Sequence, residues 1–390
     1  MVDITDPDWL PDIPSGLEPL RPNAGGGGDA ASLVGRKQEL ARLHEAVAAG
    51  GAHVTGERRM GKTWLVKTLQ EELEDTVTAI YVSAETDTLD LFGERLLQAL
   101  REHHIVGKKV RDWEVQVGGE LKLNIGVVGL TLTGKRTRAA LDAGEPAKGL
   151  DVLDLLGKER IVLIIDEITY LCKKLGPETA SAFLHDVRAR RQSGGSPLVI
   201  SASIGLHHAL NDLRAVNDLW PVVVGPLTTD DAVELAARLL LGIGVTPTPQ
   251  VVADIVRQTS GIPFYIQGVV DQMQYRDDQD VAAVVAYCIA NNVWQTTEFV
   301  TRLLEYYGDA GAKQAEAVLD IVATCDKPVD MVDMEFRLAI DHQDLGVTRD
   351  DLLKLLTKLE MDHYLVREGN ADRMSSPLLA RLWRHHRRLG

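Results

Sequence analysis

Cysteine is scarce in this 390-residue sequence: Cys172, Cys288 and Cys325 are its three. They lie far apart with no CxxC spacing, which argues against a disulfide framework or a thiolate zinc site. Long apolar runs are also missing. The nearest, Leu121 to Thr133, is shorter than the roughly 20 residues a bilayer crossing needs. The N-terminus, Met1-Val-Asp-Ile-Thr-Asp-Pro-Asp-Trp, is acidic and lacks the apolar stretch of a secretory signal. Positive charge is in deficit, with 42 Lys and Arg against 57 Asp and Glu and a net charge of −15. A surface that grips nucleic acid throughout would be basic, so any DNA contact must be local. These absences point to a reducing cytoplasm and no membrane. The 45% hydrophobic and 25% charged contents suit an ordinary globular protein. The length suggests two or three domains.

Residues 1–31 are rich in Pro, Asp and Gly and end near the run Gly25 to Gly28, which reads as a flexible acidic tail and linker. The alternative is a docking segment, because Trp9, Leu10 and Ile13 are apolar. From Leu33 onward, strand and helix patterns alternate, predicting a mostly parallel, helix-covered sheet over residues 32–225. A Gly-interrupted alternating stretch near 114–134 reads as an inserted β-hairpin, either surface decoration or a partner-binding edge. Residues 226–300 read as a run of helices, expected to form a lid. Residues 301–390 read as three helices followed by a short hairpin, the order of a winged helix.

Gly56-Glu57-Arg58-Arg59-Met60-Gly61-Lys62-Thr63 fits the P-loop pattern between a strand and a helix. Its glycines let backbone N–H groups turn inward around an anion, and the helix that follows adds its positive dipole end. Lys62 is expected on the β- and γ-phosphates of ATP or ADP, and Thr63 on Mg²⁺. Arg160 to Asp166 is a continuous apolar run ending in acid, as suits a central parallel strand. Asp166 is expected to hold the metal and Glu167 to act as general base toward water. Ser203 ends the next buried strand, where a hydroxyl would reach the γ-phosphate or the water. Ser201 is the competing choice.

Together these motifs resemble the STAND group of AAA+-related P-loop ATPases, and most closely the archaeal-type ATPase family. The similarity rests on Val34-Gly35-Arg36-Lys37-Gln38-Glu39-Leu40, on the Arg58-Arg59-Met60-Gly61-Lys62-Thr63 wording, on Gly261-Ile262-Pro263, and on Ser376-Pro377-Leu378-Leu379. It implies an adenine pocket made with Val34, Gly35 and Pro263. The full nucleotide-binding set is then Val34, Gly35, Gly56, Arg58, Arg59, Met60, Gly61, Lys62, Thr63, Trp64, Gly261 and Pro263. It also implies ATP bound between core and lid. Many relatives carry a nuclease-like domain after the winged helix; none follows here, so an effector is expected on another chain. No arginine stands out as a finger; Arg58, Arg59 and Arg214 are the candidates.

Three functions compete. The first is an ATP-hydrolysing switch that couples nucleotide state to a partner protein, with self-association possible. The second is an initiator- or transposition-type ATPase that binds DNA through its winged helix and the basic run Arg381-Leu-Trp-Arg-His-His-Arg-Arg. Against it stands the acid-rich stretch from Asp326 to Asp351. The third is a scaffold holding ADP, although the Asp166-Glu167 pair retains both acids that hydrolysis needs.

Overall fold

The computed structural model describes residues 6, 8–23, 33–74, 76–86, 88–103, 161–192, 196–202, 205–210, 213–276, 280–294 and 297–389. The hairpin expected near 114–134 lies outside them, as does Ser203. The chain divides into two compact units: residues 29–58 with 62–224, and residues 1–28 with 59–61 and 225–390.

The first unit is built on five parallel strands: β1 (Gly51–Thr55), β2 (Thr78–Ser83), β3 (Ile161–Asp166), β4 (Leu198–Ala202) and β5 (Trp220–Val223). Their order across the sheet is β2-β3-β4-β1-β5. This is the parallel α/β layer expected from the alternating pattern. β3 and β4 are buried along their whole length, as unbroken Ile, Val and Leu runs require when helices cover both faces. β4 lies between β1 and β3, so the strand feeding the glycine loop and the strand ending in Asp166 both flank it. Around the sheet stand α1 (Lys37–Ala48), α2 (Lys62–Leu73), α3 (Leu89–Glu102), α4 (Ile168–Leu175) and α5 (Pro177–Gln192). Phe92, Leu96 and Leu100 of α3 pack with Ile165 and Phe183 into one buried cluster. Helix α3 starts cleanly because Thr88 accepts a hydrogen bond from the Leu91 amide.

The second unit opens with four helices, α6 (Thr229–Gly242), α7 (Pro249–Thr259), α8 (Pro263–Met273) and α9 (Val281–Ala290). Thr228, Thr248 and Asp280 cap α6, α7 and α9 through their side chains. Helix α10 (Thr297–Thr324) then runs through the boundary expected at 300 and 301, and bends at Gly308, whose φ is 70°. Helices α11 (Met331–Asp341) and α12 (Arg349–Met361) follow. Strands β6 (Val329–Asp330), β7 (Leu365–Glu368) and β8 (Ala371–Met374) form an antiparallel sheet in the order β6-β8-β7. Helix α13 (Pro377–Arg387) closes the chain, with Leu379 and Trp383 in the same core as Leu303, Val318 and Leu356.

The flexible tail expected at residues 1–31 is corrected for residues 8–23, which lie as a strap along the helices of this second unit. The Leu20 amide donates to the Arg238 carbonyl at 2.9 Å. Arg238 Nε returns a bond to the Glu18 carbonyl at 3.0 Å, and the Asn23 amide donates to Gln267 Oε1 at 2.8 Å. Composition misleads here because Pro11, Pro14, Pro19 and Pro22 suggest disorder, yet each fixes φ and lowers the cost of holding an extended segment.

Candidate phosphate-binding site

The loop between β1 and α2 owes its shape to backbone conformations. Gly56 has φ 152°, Arg59 φ 76° and Gly61 φ 87°. At Gly56 a side chain is excluded on steric grounds as well, because a Cβ there would lie 2.2 Å from the Val224 carbonyl oxygen. Lys62, at the start of α2, is 4% exposed and donates from Nζ to the carbonyl oxygens of Gly56 and Glu57, each at 2.9 Å. A buried ammonium needs such partners, since stripping its water without replacement is costly. Those two carbonyls fix the position of the amine beside Gly56 and Glu57.

Asp166 is the hub of the site. It ends β3 at 2% exposure and is held by groups from three further elements. Thr63 Oγ1 donates to its Oδ2 at 2.8 Å and the Tyr81 hydroxyl to the same oxygen at 2.9 Å. Ser201 Oγ donates to Oδ1, which also accepts from the Glu167 amide at 3.1 Å. Burial, and then the negative charge of Asp166, push the Tyr81 phenol well above its ordinary range. Tyr81 therefore stays protonated and remains a donor. Parallel pairing sets this convergence: Ser83 of β2 is in register with Asp166, and Ile200 of β4 with Ile165.

Glu167 follows in a left-handed conformation, φ 55° and ψ 40°, as the residue capping α4. Such a conformation costs a non-glycine residue roughly 1–2 kcal/mol. It is maintained by the buried strand before it and the helix after it. Two adjacent acids thus leave the strand end in different surroundings, one buried and fully bonded, the other at the half-exposed turn.

Of the other expected residues, Val34 is buried and Gly35 and Arg36 both have positive φ, 73° and 65°. Arg36 donates to Glu39 at 2.9 Å. Arg58 and Arg214 are exposed, whereas Trp64 is half-buried and Met60 buried. In the second unit the Arg59 guanidinium stacks on Phe264, 4.3 Å from its centroid, and donates to the Tyr265 hydroxyl at 3.2 Å. Tyr265 is in turn held by Trp294, with centroids 4.9 Å apart. Gly261 has φ 69°, its carbonyl accepts from the Leu227 amide at 3.0 Å, and Pro263 is the first residue of α8. Of the two serines weighed from the sequence, Ser201 is the one the described residues place on Asp166.

Tyr81 was not singled out from the sequence. A tyrosine inside a strand reads as core, and its hydroxyl gains meaning only once β2 is known to border β3.

The chemistry of this donor set fits a nucleotide and its metal: a buried lysine on a glycine loop, a threonine hydroxyl donating to a buried carboxylate, and a second acid, Glu167, next in sequence. The profile of the AAA domain family matches residues 47–210. No curated protein matches the chain. Among solved structures, the Walker-type ATPase of Pyrococcus abyssi is similar with a TM-score of 0.65 at 17% identity, over 94% of this chain and 99% of that one. The ORC2 protein of Aeropyrum pernix, solved as ADPNP–ADP complexes, is similar with a TM-score of 0.54 at 13% identity, over 99% of this chain and 96% of that one. The parallel sheet, the loop wording and these similarities together give this chain the P-loop NTPase fold, with residues 47–210 similar to the AAA domain family.

Proposed function

We propose that this chain binds and hydrolyses ATP as a STAND-type switch ATPase whose nucleotide state governs a partner protein. The observation that carries this reading is the carboxylate of Asp166, buried and held in one orientation by Thr63, Tyr81 and Ser201. A structural acid at a strand end would be solvated; a buried one with a fixed rotamer is a preformed ligand. Thr63 and Asp166 are the residues that would hold Mg²⁺, which when bound offsets negative charge on the phosphate oxygens. Lys62 exchanges its bonds to the Gly56 and Glu57 carbonyls for phosphate oxygens. Glu167 orients water and accepts its proton on the side-chain carboxylate, leaving ADP and phosphate as products. Residues 301–390 act as a winged helix and carry the output; within them α11 and α12 lead into the β7–β8 hairpin and α13 follows it.

Support for a protein output over a DNA output comes from the basic C-terminal run. Arg387 is engaged by Glu316 at 2.9 Å and by Asp320 at 2.9 Å, and Trp383 also donates to Asp320 at 2.8 Å. Arg381 is committed to Gln258. The exposed side of α12 mixes Arg349, Lys354 and Lys358 with Asp350, Asp351 and Glu360, which is a poor phosphate grip.

The test is steady-state turnover of ATP by the parent and by Glu167→Gln. The expected result is turnover in the parent, a loss of at least about a hundredfold in the variant, and nucleotide binding retained in both. Absence of turnover in the parent, with or without a partner, would refute hydrolysis. Salt-dependent filter binding of duplex DNA would instead favour the initiator reading.

A further inference from the structure

Helix α11 carries an apolar stripe that nothing among the described residues covers. Val332, Phe336 and Ile340 recur every fourth residue and so share one face, and they are 68%, 63% and 57% exposed. The opposite face does the packing, with Met334 and Leu338 in the core of the unit. Single exposed apolar residues are ordinary, but three aligned along two turns of one helix form a contact surface.

The surroundings of the stripe are acidic. Between Asp326 and Asp351 eight carboxylates accompany three basic side chains, Lys327, Arg337 and Arg349. Two of those bases are already matched, Arg337 to Asp333 at 3.0 Å and Arg349 to Glu335 at 2.7 Å. Asp330, Asp341 and Asp344 are exposed at the two ends of the helix.

We infer that this face of α11 docks an amphipathic helix of a partner protein, one whose apolar ridge is rimmed by lysine or arginine. The apolar stripe sets the helix-in-groove mode, with Phe336 as its central anchor. The acidic rim sets the sign of the partner's charge. A second copy of the same face would bring two acidic rims together, and nucleic acid would meet carboxylates. The inference deepens the partner half of the proposed function and rests on it only there, since α11 lies far in sequence from the phosphate loop.

The experiment uses the full chain and two synthetic 18-residue helical peptides with leucine at i, i+4, i+8 and i+11. One is flanked by lysines and the other by glutamates at the same positions. Fluorescence anisotropy should show saturable binding of the lysine peptide, at least tenfold tighter than the glutamate peptide. Phe336→Ser and, separately, Ile340→Ser should each weaken it at least tenfold while melting temperature and ATP turnover stay unchanged. Equal binding of the two peptides would overturn the inference. So would indifference to both substitutions, a parent dimer that Phe336→Ser converts to monomer, or duplex DNA binding that Phe336→Ser removes. Loss of ATP turnover in the parent would strike the hydrolysis reading alone, because peptide binding is measured without it.

Discussion

The Tyr81 hydroxyl and the Thr63 hydroxyl converge on one oxygen of Asp166, at 2.9 Å and 2.8 Å. Tyr81 sits on β2, at the sheet edge, and acts on the carboxylate across one strand spacing. Replacing it with Phe removes one donor from a buried charge while keeping the ring. A hydrogen bond to a charged group is worth about 1.5–3 kcal/mol, and the half-buried position of Tyr81 puts the cost at the low end. Tyr81→Phe should therefore fold normally, with the unfolding free energy from chemical denaturation reduced by that amount. A positioning role further predicts a higher Mg²⁺ concentration for half-maximal turnover, which a purely structural role would not alter. Unchanged Mg²⁺ dependence would remove Tyr81 from the site.

Lys62→Ala separates the loop's own stability from its ligand. The substitution frees the Gly56 and Glu57 carbonyls, which can take water at the loop mouth, so the loss of stability without ligand should be modest, about 1 kcal/mol. The ligand effect should be large. A nucleotide at a hundred times its Kd stabilises the fold by about 2.7 kcal/mol, and in Lys62→Ala this thermal shift should vanish at the same concentration. A retained shift would show that the anion binds elsewhere.

The placement of the glycine loop between β1 and α2, and of Asp166-Glu167 at the end of β3, was legible in the sequence because each depends on a short contiguous phrase in a clear strand context. Gly56 to Thr63 and Ile161 to Glu167 both lie where periodicity placed them. Tyr81 and the bonding of Ser201 to Asp166 were not legible, since both require the strand order β2-β3-β4, which no local pattern encodes. The strap of residues 8–23 was missed for a different reason. Proline-rich composition reports the entropy of the unfolded chain, not whether a partner surface exists, and the partner here is more than two hundred residues away at Arg238, Gly242 and Gln267. The bend at Gly308 inside α10 escaped because helical periodicity continues on both sides of it.

His53 supplies a pH prediction. It lies in β1, in register with Ile200 and Pro221, and its buried Nε2 has no hydrogen-bond partner among the described residues. Burial lowers its pKa from 6.5 to about 4. In that interval the unfolded chain binds a proton that the folded chain refuses, so stability rises with pH there. The stabilisation is complete above pH 6.5 and is lost as pH falls toward 4. The difference amounts to at most about 3 kcal/mol. Urea titrations at pH 7 and pH 4.5 should show a gap between parent and His53→Leu that shifts in favour of the variant at the lower pH. A gap independent of pH would mean that the imidazole ionises freely in the fold.

Gly242 tests the strap. A Cβ at this position would lie 2.0 Å from the Leu20 carbonyl oxygen, so the strap and an alanine cannot both keep their places. Two opposing effects follow from Gly242→Ala. Alanine favours the end of α6 by up to about 1 kcal/mol over glycine. Displacing the strap forfeits the bond from Leu20 N–H to the Arg238 carbonyl and the bond from Arg238 Nε to the Glu18 carbonyl, each worth about 0.5–1.5 kcal/mol. The gain offsets part of the loss, so the unfolding free energy of the whole fold should fall by at most about 2 kcal/mol. Locally they do not cancel, because the helical gain belongs to α6 and the loss to residues 18–23. Amide hydrogen exchange resolves the two. The Leu20 amide should exchange at least tenfold faster in Gly242→Ala, while the amides of α6 from Val233 to Leu240 keep their protection. Arg238→Ala should give a smaller acceleration, since it removes one bond and leaves the other. If the Leu20 amide exchanges at the parental rate in Gly242→Ala, the strap does not lie against α6 in solution.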